Sequence, residues 1–373
     1  VERKNVPARI FFCAILYLSL ACTTPPDPVF LPFLNIRTGP SPSAVVVADL
    51  TGDGKLDIVT ASSPAGTVSL LVGDGFGYFA THVDTPVAAG PVALAVADLD
   101  VDGKPDLVVA CISADVVSIL SGTASASLGT RTDVAVAHGP SAVAIGDLNQ
   151  DGRPDIVVAA QGVNVVTVLL GQPGGGFTRS DIPVGLIPRG VALLDANGDG
   201  KLDIVTANQG SSSVTLLLGD GTGAFPTRKD FAVGSGPVAL RVADVNGDGH
   251  LDILTANAGA ESVSVLLGDG LGSFVSKGDR ATGVLGTCDL AIADIGGSGG
   301  PDGHPDLIVV GSTSDSVVIY FGDGTGAFPG TPDSFAMPTR PVALAVADTD
   351  RDGRPDIVVP CQQADLVHEF YVP

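Results

Sequence analysis

A pattern close to 49 residues long occurs seven times in this chain, and that period constrains the fold more than any other feature. Each copy holds an alternating apolar strand, an acidic loop of the form D-x-[D/N/T]-x-D-G-x-x-D, and a second apolar strand. The loops begin at Asp49, Asp98, Asp147, Asp195, Asp244, Asp294 and Asp348, and the sixth carries four extra residues. A second signal, GDGxGxF, follows four of them and ends at Phe79, Phe225, Phe274 and Phe328. Repeat three has a weaker form, GQPGGGF ending at Phe177, and repeat two replaces it with SGTASASL. Asp-Gly flanked by glycine reads as a hairpin, because Gly and Asx residues accept positive φ at little cost.

Each repeat therefore offers four short strands. In the fifth they are expected over 238–244, 252–256 and 262–267, with a fourth starting near Phe274. Four strands in about 49 residues is the period of a propeller blade. Helical solenoids of similar period need a 3.6-residue periodicity that this sequence lacks. The expected fold is all-β: a seven-bladed β-propeller of four-stranded blades over 30–373. Segment 30–37 (FLPFLNIR) stands where the fourth strand of a preceding repeat would lie, and repeat seven reaches only its third strand. The N-terminal strand is thus expected to complete the last blade, which closes the ring and removes a sheet edge.

The first strand of each repeat alternates in size. Large apolar residues stand two and four places before the first Asp, as in Val96 and Leu94, while Ala or Gly mostly fills the places between. Period two puts these sets on opposite faces of the sheet, with the small set expected where blades crowd the axis. Arg241 and Asp289 interrupt the small row in neighbouring repeats and are expected to pair in the central channel.

The acidic loops carry the chemistry. At positions 1, 3, 5 and 9 stand Asp49, Thr51, Asp53 and Asp57 in the first loop, and Asp98, Asp100, Asp102 and Asp106 in the second. The third has Asp147, Asn149, Asp151 and Asp155, and the fourth Asp195, Asn197, Asp199 and Asp203. The fifth has Asp244, Asn246, Asp248 and Asp252, and the seventh Asp348, Asp350, Asp352 and Asp356. The interrupted sixth offers Asp294, Asp302 and Asp306. Oxygens at such spacing converge on one point, and Ca²⁺ takes six to eight of them in flexible geometry. Mg²⁺ is the rival, with stricter octahedral demands, and metal-free Asp/Gly turns are the plain alternative. Up to seven Ca²⁺ ions are expected, with the sixth loop the weakest site and Thr51 a weak ligand in the first. Position 7 is basic throughout (Lys55, Lys104, Arg153, Lys201, His250, His304, Arg354) and reads as local charge balance.

The net charge of −22 follows from this pattern, since 23 of the 41 acidic residues occupy loop positions 1, 3, 5 and 9. So acidic a chain lacks the basic patch that nucleic acid requires. No stretch beyond the first thirty residues is apolar enough to span a membrane. Residues 1–21 read as an export signal: Arg3, Lys4 and Arg9 precede the apolar run IFFCAILYLSLA, which ends in a small-residue cleavage site. Cys22 opens the TTPPDP tether within a linker over 22–29 and is a candidate lipid anchor of the bacterial lipoprotein type, simple cleavage being the alternative. Cys111, Cys288 and Cys361 are an odd set, read as buried apolar residues.

At the loops and GDGxGxF turns the sequence resembles the FG-GAP/VCBS repeat proteins, a group that includes the propeller of integrin α subunits. That resemblance covers roughly 30–372 and implies a seven-bladed propeller with Ca²⁺ in its loops. Function varies across such proteins, so the fold transfers better than the activity. The expected role is an exported, monomeric cell-surface or envelope scaffold that binds or adheres to an unidentified surface protein or glycan. The chain is read as no enzyme: His82, His138, His250, His304 and His368 sit in no recognisable catalytic motif. A lectin and a propeller-type polysaccharide-degrading enzyme are the alternatives. Absence of Trp weighs against the lectin.

Overall fold

A computed structural model describes residues 34–79, 82–123, 125–296 and 301–370. The expected export segment, Cys22 and the linker lie outside the described residues. Seven antiparallel four-stranded sheets make up the chain, and no helix occurs among the described residues. Six sheets take their strands from consecutive sequence. The seventh places Leu34–Arg37 beside Leu366–Phe370, followed by Asp356–Cys361 and Ala345–Ala347. The register runs Leu34↔Glu369 to Arg37↔Leu366, so the first described strand closes the ring as expected. Blade 5 follows the sequence reading within about a residue, with strands Pro237–Ala243, Asp252–Asn257, Ser262–Gly268 and Phe274–Ala281.

The second strand of every blade begins at the position-9 Asp and is buried along its whole length, as in Asp57–Ser62 and Asp155–Ala160. That explains its near-continuous apolar sequence, because both faces of a blade meet neighbouring blades. The core is accordingly divided into seven clusters, one for each junction between blades. At the junction of blades 1 and 2, Ala44, Val46 and Ala48 of one inner strand face Leu94 and Val96 of the next. The large and small rows thus interlock across each junction. Gly146 makes this concrete: a Cβ there would lie 2.6 Å from Leu202 Cδ1 and 2.8 Å from Leu193 Cδ1.

A polar latch recurs between blades. A Ser or Thr in the third strand donates to an Asp in its own outer strand: Ser69 to Asp84 (2.6 Å), Ser118 to Asp133 (2.7 Å), Thr167 to Asp181 (2.7 Å) and Ser264 to Asp279 (2.6 Å). Thr215 and Asp230 form the fifth pair, at 2.5 Å. The same hydroxyl accepts a backbone N–H from the linker that leaves the preceding blade, as from Ala88 to Ser118 at 3.1 Å. One side chain therefore satisfies a buried donor of one blade and an acceptor of another. In the closing blade, His368 stands in the place of the hydroxyl residue and Asn35 in the place of the Asp.

Candidate metal centres

All seven acidic loops join the first strand of a blade to its second, on one face of the ring. The GDGxGxF turns join the third strand to the fourth on that same face, as Gly73 N donating to Asp57 Oδ1 at 3.0 Å requires. Within a loop the carboxylates first act on the backbone. The position-1 Asp accepts the N–H of the position-6 Gly at 2.7–3.0 Å in every loop, from Gly54 to Asp49 through Gly353 to Asp348. The position-5 Asp accepts the position-7 N–H, as from Lys104 to Asp102 at 2.9 Å. The loop is therefore preformed, and its Gly must turn: Gly103, Gly152 and Gly353 have φ of 86°, 83° and 88°.

The sixth loop keeps this geometry despite its insertion. Asp302 N and Gly303 N both donate to Asp294, at 3.0 and 2.7 Å, and His304 N donates to Asp302 at 2.9 Å. What it lacks is a position-3 donor in the sequence pattern, which is why its ligand set is the smallest.

The position-9 Asp has a larger structural role than its sequence position indicates. One oxygen of Asp155 accepts Leu148 N at 2.8 Å and the other accepts Gly171 N at 2.7 Å. Asp106, Asp203 and Asp252 are held in the same way, and Asp57 and Asp306 take a third N–H. This residue ties the acidic loop to the outer turn. Burial raises the pKa of all seven position-9 carboxyls, most clearly Asp356, which is pushed up to about 6. Asp350 is raised by burial too, with Asp352 and Asp348 adding repulsion. A cation between these groups would offset the cost of keeping them ionised.

Carboxylate oxygens of positions 1, 3 and 9 gather within 4.8 Å of one another in the second loop (Asp98, Asp100, Asp106) and the seventh (Asp348, Asp350, Asp356). These are the two loops with Asp at position 3; Asn149, Asn197 and Asn246 put a neutral amide oxygen there instead. Thr51 Oγ1 in the first loop is buried and meets no partner in hydrogen-bonding geometry, which suits a hydroxyl ligand. All-oxygen donors of this kind fit a hard divalent cation. Position 7 supplies the expected local balance in three loops: Lys55, Lys104 and Lys201 lie 3.0, 2.5 and 3.4 Å from the position-5 Asp of their own loops. The hydrogen bonds from Lys55 and Lys104 hold Asp53 and Asp102 below the usual carboxylate range.

In the channel, Arg241 Nη2 meets Asp289 Oδ1 at 2.9 Å, the pairing the interrupted small row predicts. Arg189 lines the same channel and donates to Gln161 Oε1 at 3.0 Å. Sequence reasoning missed it because it stands six places before Asp195, outside the alternating row. Cys111 and Cys361 are buried and Cys288 partly so, all as free thiols.

Solved structures with this architecture have varied roles. BBS1N, in a crystal complex with ARL6DN soaked with lead, is 14% identical with a TM-score of 0.66, over 93% of this chain and 98% of that one. The periplasmic gluconolactonase of Pseudomonas aeruginosa is 17% identical with a TM-score of 0.63, over 81% and 86%. An Agrocybe aegerita lectin that recognises non-reducing terminal N-acetylglucosamine is 20% identical with a TM-score of 0.51, over 78% and 79%. At these identities the likeness shows the fold, and the set includes enzymes and non-enzymes. No curated protein matches the chain. The FG-GAP-like repeat model matches six times, at 49–109, 99–158, 147–205, 195–255, 244–302 and 300–359. With its acidic loops and outer turns inside those matches, the chain belongs to the FG-GAP-like repeat family.

Proposed function

We propose that this protein is an exported, calcium-loaded propeller that acts as a binding or adhesion scaffold at the cell surface or envelope. The observation that carries the metal reading is the gathering of three carboxylates in the second and seventh loops, each already shaped by its own backbone. Asp98, Asp100, Asp102 and Asp106 would hold one ion and Asp348, Asp350, Asp352 and Asp356 another, with the position-7 carbonyl as a further donor. The Asn-containing loops would follow, then the first and sixth. When bound, the ion supplies positive charge that neutralises clustered carboxylates and stiffens the loop face. The scaffold reading rests on a rigid ring whose seven loops meet solvent on one face. Among the described residues no helix is long and apolar enough to cross a membrane.

Calorimetric titration of Ca²⁺ into chelator-treated protein, with the melting temperature followed in parallel, tests this reading. A ligand that binds only the folded chain raises its stability. Saturable binding with a rise in melting temperature is expected, and the absence of both would refute the metal assignment.

A further inference from the structure

The outer turns depart from the repeat pattern in blades 2 and 3, and a cavity opens between them. Where blades 4 and 5 meet, the outer turn of blade 5 docks on the preceding loop, with Gly272 N donating to Ala196 O at 2.8 Å. Blade 6 docks on blade 5 likewise, through Gly326 N to Val245 O at 3.0 Å. In those turns Asp269 and Asp323 accept backbone N–H groups and hold the hairpin in shape. Blade 3 has Gln172 in place of that Asp, followed by Pro173 and three glycines. Gly174, Gly175 and Gly176 all have φ near 90°, and a Cβ on any of them would meet nothing within 4 Å. Among the described residues no backbone hydrogen bond joins this turn to the acidic loop of blade 2, a blade that has itself lost the GDGxGxF signal.

The space left has a volume of about 480 Å³, within the ~300–1,000 Å³ range of small-molecule sites. Part of its lining is apolar: Leu99, Ile119 and Phe177 continue the core of that junction and are only partly buried. Ser121, Thr130, Thr132 and Gln172 add polar side chains to the lining. Arg153 lines it as well. Unlike Lys55, Lys104 and Lys201, Arg153 has no carboxylate within ion-pair distance among the described residues. Asp100 and Asp106 line it too, and Asp106 has both oxygens engaged by backbone N–H groups.

These features select a ligand. An apolar lining together with hydroxyl and amide groups suits a sugar, which has a C–H face and a polar edge. The unpaired guanidinium calls for a carboxylate, which it can grip through two parallel hydrogen bonds. We propose that the cavity between blades 2 and 3 binds a carboxylated sugar, a uronic acid residue of an acidic glycan, with Arg153 taking the carboxylate and Phe177, Ile119 and Leu99 supporting the ring. The inference rests on the reading of this propeller as a binding scaffold and names the chemistry of its partner. It places the site on this chain's own side chains and requires no metal.

The test is ligand-observed NMR titration of the whole chain with galacturonate and with galactose, which differ at the sugar's carboxylate, both in chelator and in calcium. Galacturonate is expected to bind at least about tenfold more tightly than galactose, the scale of one charge-assisted bidentate contact. Arg153→Gln should erase that preference, and Thr132→Phe, which fills the cavity from an exposed strand position, should abolish binding of both sugars. Arg340→Gln, in the linker before blade 7, should leave the preference intact. Equal affinity for the two sugars, no binding, or full preference in Arg153→Gln would each overturn the proposal. A calcium-induced rise in melting temperature without sugar binding sinks this inference alone. Sugar binding without that rise sinks the metal reading alone.

Discussion

Asn35 and His368 lie 333 positions apart in sequence, and the imidazole Nδ1 meets the amide Oδ1 at 2.7 Å. They hold the place that Ser69 and Asp84 hold in blade 1, so the closing blade puts a titratable member at the latch position of blades 1 to 5. Burial depresses the His368 pKa to about 4, from 6.5. The folded chain therefore favours the neutral ring. The associated stability is present above about pH 6.5 and is lost as pH falls toward 4, by roughly 2–3 kcal/mol. Urea titrations in chelator between pH 7 and pH 4.5 should show a shallower acid loss in His368→Ser than in the natural chain. Equal slopes would show that His368 does not control the acid limb. Asp356, raised to about 6, pulls the other way and is common to both proteins.

The latch makes a second prediction, away from the closure. Thr215 donates to Asp230, and Gly185 N and Asn208 Nδ2 donate to Thr215 at 3.2 and 2.9 Å. Thr215→Val keeps the shape and strands those partners, at a cost of about 1–3 kcal/mol. The urea midpoint should fall with the m-value unchanged.

Positions 5 and 9 of one loop should separate structure from metal binding. Asp155 is buried and holds two backbone N–H groups, so Asp155→Ala should cost about 2–5 kcal/mol even in chelator. Asp151 is exposed, and Asp151→Ala should change stability in chelator by less than about 1 kcal/mol while reducing the gain on adding calcium. Thermal melts of both variants with and without calcium check the contrast.

In the channel, Asp289 matters more than its partner. Its Oδ1 accepts from Arg241 and Leu290 N, and its Oδ2 accepts Leu344 N at 3.1 Å, which joins blades 5, 6 and 7. Asp289→Ala strands two buried backbone donors and should cost about 2–4 kcal/mol. Arg241→Ala removes a half-exposed side chain and should cost under about 1 kcal/mol. Equal losses in denaturant titrations would contradict this ranking.

The sequence made the ring legible because its signals repeat. A single DANGDGKLD is ambiguous, but seven in register place every inner strand, and Leu34–Arg37 is the closing strand expected within 30–37. The row of small residues likewise exposed Arg241 and Asp289 as a pair. The latch escaped notice although Ser69 and Asp84, Ser118 and Asp133, and Ser264 and Asp279 share one spacing. Hydroxyl residues in strands carry no strong meaning until a partner from another strand is seen beside them. The double hold of Asp155 on Leu148 and Gly171 escaped for the same reason. The cavity was half visible: GQPGGGF departs from its siblings, but only three dimensions show that the departure opens space beside Arg153.

The pairing of Leu34–Arg37 with Leu366–Phe370 also sets the order of events during biosynthesis. The first of these strands leaves the ribosome more than three hundred residues before its partner exists. At roughly 5–20 residues per second it waits for tens of seconds with its backbone unpaired. Until Phe370 emerges, the nascent chain is an open arc with two sticky edges, each a template for joining another such arc. Anything that slows translation late in the message lengthens that exposure, and with it the window for pairing between chains.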